Sequence, residues 1–441
     1  MPQALYSFIP GFLWGSATAA HQVEGNNTNN NWWAWEQQPG RIINGDKSGL
    51  ACDWWGGRWK EDLDRAAECG QNAHRLSVEW SRIQPAPDRW DEDALDYYRQ
   101  MLRGAVERGL TPMVTLHHFS DPLWLTERGG WENEETPGLF AVYVKKVVEA
   151  LKEYCSLWIT INEPNVYVPM GYVFGVFPPG AADLKTAFIV MGNMLRGHAA
   201  AYRAVHEVQK TARVGFAHNM RPFSPQHGWS PLDRFLSNMG NQVLNYSFPN
   251  TLLDGRLDFF FWKLRIPEAV GTQDFFGLNY YTSGQIGFTF SPKRFFIQQS
   301  FPRGAEVSSS GFLANIPGGL FNSIRWARRF KVPIIISENG VEDTGDDLRP
   351  RYLVEHVHQL WRAVNYSWPV KGYFYWSLLD NFEWERGWTQ KFGLWGLDPQ
   401  TQVRQRRTSV DVYADICKNN GLSSEMVERL VPKLMPTLFP G

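Results

Sequence analysis

Two glutamates in this chain stand at the ends of apolar runs, where a residue chosen for packing alone would be apolar too. Leu157-Trp158-Ile159-Thr160-Ile161 leads into Asn162-Glu163-Pro164, and the run 332–337 leads into Glu338-Asn339-Gly340. Apolar and β-branched residues in succession suit a strand buried on both faces, and Pro164 forbids a further ladder hydrogen bond. A carboxylate at the C-terminal tip of such a strand faces the side of a parallel barrel where chemistry is done. Two carboxylates that meet across a barrel mouth can divide the labour. One protonates a leaving oxygen, and the other attacks a carbon or activates water.

The strands that carry them must be held by the rest of the chain, which alternates short apolar strands with amphipathic helices throughout. Strands are expected over residues 12–17, 72–78, 111–116, 157–161, 213–217, 274–278, 332–337 and 372–376. Helices are expected from Trp59 to a stop at Gly70, and over 92–108, 139–154, 185–210, 321–330, 348–366 and 406–418. Eight strand–helix units in series imply an α/β fold, a single (β/α)8 TIM barrel with its active site at the C-terminal ends of the strands. The region 282–315 is rich in Gly, Ser, Phe and Pro and is expected to be an irregular insertion after the sixth strand, overhanging that face. No repeat, low-complexity tract or linker divides the pattern, so residues 1–441 are expected to form one domain.

Composition excludes several function classes. Of 441 residues, 43% are hydrophobic and 20% charged, enough apolar material for a large core. Lys plus Arg number 44 against 45 Asp plus Glu, which leaves no net field to attract nucleic acid or anionic membrane. Cys52, Cys69, Cys155 and Cys417 are widely spaced without a CxxC pair, and are expected to be buried free thiols of a reduced compartment. No basic and then apolar leader is evident in residues 1–10, and no apolar run approaches a membrane span. A cytoplasmic enzyme is the expectation. His117-His118 and His356-x-His358 lack the companions of a zinc motif, and neither a Walker A nor a GxGxxG pattern occurs, so no metal and no cofactor is expected. Oligomeric state is left unassigned.

At the expected strand tips, polar groups recur: Gln22, Arg75, His118, Asn162-Glu163, Asn219, Tyr281, Glu338 and Trp376. Their convergence points to a small-molecule substrate at the barrel mouth. Paired carboxylates are what glycoside hydrolysis requires, with a separation of about 5–5.5 Å for retention and roughly 6.5–9.5 Å for inversion. Arg75 and Tyr281 are expected to pair with Glu338 as nucleophile. Glu163, facing that negative charge, is expected to be the acid and then the base. In Trp376-Ser377-Leu378-Leu379-Asp380-Asn381-Phe382-Glu383-Trp384, an indole can floor a sugar ring and Glu383 can accept from two neighbouring hydroxyls.

With these residues in view, the chain resembles the retaining β-glycosidases of glycoside hydrolase family 1, bacterial β-glucosidases in particular. The resemblance runs from Phe12-Leu13-Trp14-Gly15-Ser16-Ala17 to Phe392-Gly393-Leu394. It is carried most specifically by Thr160-Ile161-Asn162-Glu163-Pro164 and Ile336-Ser337-Glu338-Asn339-Gly340, which look like the acid/base and nucleophile motifs. It implies that Gln22, His118, Asn162, Glu383 and Trp384 hold the hydroxyls of a terminal sugar, with Phe119 beside them. Trp376 would be the stacking floor and Phe392 a wall near the hydroxymethyl group. Arg75, Tyr281 and Asn279 would complete the catalytic set. Glu163, rather than Gln, separates the chain from the thioglucosidase branch, and Glu383-Trp384 separates it from the 6-phospho-β-glycosidase branch. The pattern lapses at Asn165, where Trp is usual, at Phe177, where His is frequent, and at Phe119-Ser120-Asp121. Asn165, Phe177 and Asn219 are expected on the leaving-group side, whose preference the resemblance does not carry over.

Overall fold

The computed structural model describes residues 4–291 and 295–440. The ends of the expected 1–441 domain and three positions of the expected insertion lie outside the described residues. Eight parallel strands close into a barrel: β1 (Leu13–Ala17), β2 (Ala73–Ser77), β3 (Thr111–His117), β4 (Leu157–Asn162), β5 (Arg213–Asn219), β6 (Phe276–Asn279), β7 (Ile334–Asn339) and β8 (Val370–Trp376). Each pairs with its neighbours in sequence, and β8 returns to β1. The helices between them are α1 (Trp59–Glu68), α2 (Glu92–Glu107), α3 (Thr136–Leu151), α4 (Leu184–Val208), α5 (Ser247–Asp254), α6 (Pro317–Ala327), α7 (Arg349–Asn365) and, after β8, α8 (Thr408–Asn419).

Alternation along the strands sorts two cores. Trp14, Leu76, Val114, Trp158, Phe216, Leu278, Ile336 and Tyr373 belong to the large core that includes the helices. Ala17, Ala73, Met113, Ile159, Ala217, Ile335 and Phe374 form a second, inner one. Small residues let Phe374 fill that interior: a Cβ on Gly15 would lie 2.7 Å from the Phe374 ring and from the Ala73 carbonyl. On α2, Leu95, Tyr98, Leu102 and Ala105 are all buried, as their spacing requires, and Asp91 caps its first turn through Ala94 N at 2.9 Å. All four cysteines are buried and free.

Differences from expectation have local causes. No helix was expected between β5 and β6, yet a helical path runs through Pro231–Gly240 and Asn241–Tyr246 into α5. Its Asn, Gly and Pro content lowers intrinsic propensity, and packing overrides it. α3 begins at Thr136 rather than at 139 because Pro137 suits a first helical turn. The region 282–315 is not wholly irregular. Gly284–Phe288 and Ile297–Ser300 pair antiparallel, and the first also pairs with Phe223–Pro225 to complete a three-stranded sheet. That partner lies some sixty residues upstream, beyond the reach of a local pattern.

The stretch 51–62, a loop that runs into the first turn of α1, is fastened to Arg404 far along the chain by a buried ion pair. Asp62 accepts from Arg404 at 2.9 Å, from Trp54 Nε1 at 2.9 Å and from Arg65 at 2.9 Å, with Asp62 and Arg404 both closed to solvent. Asp62→Ala would leave a guanidinium buried without its counter-charge. A loss of about 3–5 kcal/mol in unfolding free energy is expected from urea denaturation.

Candidate active site

The site is built around Arg75, which β2 points into the barrel, where it is 1% exposed. Its Nε donates to Thr115 Oγ1 on β3 at 3.1 Å, one Nη to Asn162 Oδ1 on β4 at 2.7 Å, and the other to the Ser337 carbonyl at 3.1 Å and to Glu338 Oε1. One guanidinium thus ties β3, β4 and β7 together behind the carboxylates. Glu338 accepts a second hydrogen bond, on Oε2, from the Tyr281 hydroxyl at 2.5 Å. Burial and the Glu338 charge push the Tyr281 pKa well above its usual value, so the phenol stays a donor.

Glu163 is held differently. It sits just past β4 with φ 43° and ψ 58°, a left-handed turn that takes its side chain out of the strand's alternation. Asn279 Nδ2 at 2.7 Å and Asn219 Nδ2 at 2.8 Å both donate to its Oε1. Since both partners donate, Oε1 is the accepting oxygen and the proton of the neutral acid belongs on Oε2. Burial first, and the Glu338 charge second, push the Glu163 pKa up to about 8, against the opposing pull of the two amides and Arg75. One carboxyl is therefore ion-paired and the other keeps its proton at neutral pH.

Irregular pairing aims these groups. Register shifts occur between β4 and β5 at Ile159/Asn162, between β6 and β7 at Leu278/Asn279, and between β7 and β8 at Ile336/Asn339. Bulges of this kind re-aim side chains at barrel rims. Gly340 then permits a close pass: a Cβ there would lie 2.0 Å from the Trp376 carbonyl.

A cavity of about 360 Å³ opens over the pair. Of the sequence-predicted residues, His118, Phe119, Glu163, Asn165, Phe177, Asn219, Tyr281, Glu338, Trp376, Glu383, Trp384 and Phe392 line it. Gln22, Arg75, Asn162 and Asn279 stand behind, fully enclosed. Asn162 gives Oδ1 to Arg75 and Asn279 and Nδ2 to His118 Nε2 at 3.1 Å, so both ends of its amide are engaged within the protein. His118 must then accept at Nε2 and carry its proton on Nδ1, which is buried without a protein partner. Burial and Arg75 hold its pKa well below the usual value, so it is neutral. Gln22 spends Nε2 on Asn381 Oδ1 and the Phe382 carbonyl, both at 2.9 Å, and leaves Oε1 unpartnered. A free N–H thus belongs to His118, which lines the cavity, and a free acceptor to Gln22, enclosed behind it. Glu383 accepts from Trp376 Nε1 at 3.1 Å, and desolvation raises its pKa to about 8. Trp384 packs against Trp32 at 4.7 Å and Phe119 at 5.1 Å, and Phe177 closes the same aromatic cluster. Phe392 meets Tyr281 edge-on at 5.9 Å.

On the side past Glu163, the three expected residues differ from free wall positions. Asn219 gives its amide to Glu163. Asn165 donates to the carbonyls of Asn219 at 2.7 Å and Leu244 at 2.8 Å and accepts from Asn219 N at 3.3 Å. The residue that replaces the family's usual Trp is thus a clamp on the residue that orients Glu163. Asn165→Leu is expected to lower kcat/KM by roughly 5- to 30-fold, the equivalent of about 1–2 kcal/mol. The Asn219 hydrogen bond holds the Glu163 pKa down, so its loss moves the alkaline limb of the pH profile upward. Sequence reasoning also missed Arg221, Phe312, Glu385, Arg386 and Gln390, which line the cavity from loops with no periodic signal.

A neutral acid beside an ion-paired carboxylate, over a parallel eight-stranded barrel, is the equipment that acid-assisted displacement at a sugar carbon requires. The sequence model of glycosyl hydrolase family 1 matches residues 5–422, and the chain belongs to that family, whose members are retaining β-glycosidases. It is 33% identical to β-glucosidase A of Thermotoga maritima over 94% of this chain and 98% of the relative. It superposes on a β-glycosidase from Pyrococcus horikoshii with a TM-score of 0.90 and 34% identity, covering 97% of this chain and 98% of that one. A T. maritima β-glucosidase in complex with glucoimidazole gives 0.87 at 32% identity, over 95% and 100% of the two chains. No helix among the described residues is long and apolar enough to cross a membrane.

Proposed function

We propose that this protein is an exo-acting β-glucosidase that removes terminal β-D-glucosyl residues from short oligosaccharides and aryl or alkyl glucosides by double displacement. The observation that carries this reading is the unequal treatment of the two carboxylates. Glu163, with its pKa near 8, gives the Oε2 proton to the glycosidic oxygen. The Glu338 carboxylate forms a bond to the anomeric carbon as the bond to that oxygen breaks. The leaving alcohol departs, Glu338 is esterified and its negative charge is gone. That removes one cause of the raised Glu163 pKa, and the Glu163 carboxylate can now take a proton from water. The resulting hydroxide adds to the anomeric carbon and Glu338 is released, with retained configuration. A sugar hydroxyl in place of water gives transglycosylation.

Around the sugar, Trp376 supplies the floor, and His118 Nδ1–H, Gln22 Oε1 and Glu383 supply hydroxyl partners. A single carboxylate contacting O4 and O6 discriminates weakly between epimers, so galactosides and fucosides are secondary substrates. Residues 1–441 act as one catalytic domain, in the cytoplasm, on products of cellulose breakdown. Hydrolysis of 4-nitrophenyl sugars tests the reading. The β-glucoside should be cleaved, the β-fucoside and β-galactoside less or comparably, and the α-glucoside not at all. No turnover of any β-glycoside would overturn it.

A further inference from the structure

Past Glu163 the cavity is walled by the segment that follows β5, where Arg221 is a charged group without an ion pair among the described residues. Its backbone is pinned, with N–H donating to Asn245 Oδ1 and C=O accepting from Asn245 Nδ2, each at 2.9 Å. Its guanidinium makes no ion pair and no hydrogen bond among the described residues, and its Nε is buried and unpartnered. The Phe301 ring, at 6.0 Å, lies at the limit of cation–π attraction. Arg386, which also lines the cavity, is paired with Glu385 at 3.5 Å and stacks 4.0 Å over Phe312.

Three asparagine amides on this side are already spent, which leaves Gln299 and the Oε1 of Gln390 as the free amide groups of the lining among the described residues. Asn219 serves Glu163, Asn165 clamps Asn219 and Leu244, and Asn245 serves Arg221 and Asn241. A second sugar here would need several hydrogen-bond partners for its hydroxyls. The wall is mainly Phe174, Phe223, Phe312 and Leu244, with Gln299 at its edge and one cation that is unpaired among the described residues. An apolar surface with a single free guanidinium suits a flat apolar group that carries a carboxylate, which Arg can bind in its planar fork. Glu163, next to the leaving group, is neutral below about pH 8 and adds no repulsion there.

We propose that Arg221 anchors an anion position in the leaving-group half of the cavity, and that preferred substrates are β-glucosides of aromatic alcohols bearing a carboxylate. The proposal rests on the β-glucosidase reading and deepens it. It is tested by kcat/KM for the β-glucosides of 4-hydroxycinnamic acid and of its methyl ester, at pH 6.5, in the unmutated protein, Arg221→Met and Arg221→Lys. Comparing acid-to-ester ratios between proteins cancels the intrinsic reactivity of the two leaving groups. The ratio is expected to fall about tenfold in Arg221→Met, to fall less in Arg221→Lys, and to decline with added salt in the unmutated protein. An equal ratio in the unmutated protein and Arg221→Met overturns the proposal. Should Arg221→Met fail to fold, inhibition of the unmutated protein decides. Free 4-hydroxycinnamate should bind more tightly than its methyl ester, with an advantage that salt removes, and equal inhibition overturns the proposal. Failure of the β-glucosidase reading looks different, because then neither glucoside is cleaved by any of the three proteins.

Discussion

Glu338→Ala is expected to lose turnover of every β-glycoside by at least about 10⁴-fold, because in the proposed mechanism its carboxylate forms the covalent intermediate. The carboxylate is gripped on one oxygen by Arg75 and on the other by Tyr281, a geometry that fixes its direction. Alanine opens the face it occupied without removing the acid. Azide can then enter from that face in a single displacement, so the rescued product is the α-glucosyl azide, identified by proton NMR. A β-azide from this variant would mean that the nucleophile lies elsewhere. Because truncation also leaves Arg75 buried without its counter-ion, Glu338→Gln is the control for folding. It keeps the volume and should lose activity to a comparable degree while retaining the native circular dichroism spectrum.

Glu163→Ala should behave differently. Glycosides of poor leaving groups need the proton, and general acid catalysis contributes about 10²–10⁴-fold, so kcat on alkyl glucosides and cellobiose falls by that order. Activated aryl glucosides still form the intermediate, and azide, which needs no general base, accelerates its breakdown to the β-glucosyl azide. In the unmutated protein the acid must be protonated, and its pKa is raised to about 8. Activity on alkyl glucosides is therefore present below that pH and is lost as pH rises through it. Glu383 is also raised to about 8, chiefly by burial, so the alkaline limb contains two groups. Measuring Glu163→Ala with azide and a nitrophenyl glucoside removes the first, and the limb that remains belongs to sugar binding at Glu383. An alkaline limb on alkyl glucosides unchanged by Glu163→Ala would rule out Glu163 as the proton donor.

Much of this is legible in the amino-acid sequence alone. The alternation of buried strands and one-sided helices is a local property, written in spacing, and it placed seven of the eight barrel helices and all eight strands to within a few residues. The fifth helix was missed because its Asn-, Gly- and Pro-containing path has poor propensity and is held by packing. The hairpin within 282–315 was missed because its third strand, Phe223–Pro225, comes from another part of the chain. In the site, Arg75 and Tyr281 were named as partners of Glu338 and are found on its two oxygens. Asn219, expected on the leaving-group side, lines the cavity and also donates its amide N–H to Glu163, a tie that no local pattern reveals. Asn165 marked where the family pattern lapses, but only its three hydrogen bonds reveal a clamp.

By itself the amino-acid sequence determined the barrel and the two strand-tip glutamates, since periodicity and a polar residue ending an apolar run are visible within a dozen positions. The sequence already points to Glu163 as the glutamate that keeps its proton, but how far burial raises its pKa, and which polar groups remain free for a ligand, is decided by the tertiary structure. Those properties depend on burial and on partners brought together from β2, β4, β5, β6 and β7 through shifted registers. Glu163 gains two amides from strands 56 and 116 residues away, and Arg221 gains no ion pair among the described residues. Hydrogen-bond pairing across a closed sheet is non-local, and a one-residue bulge is enough to change it.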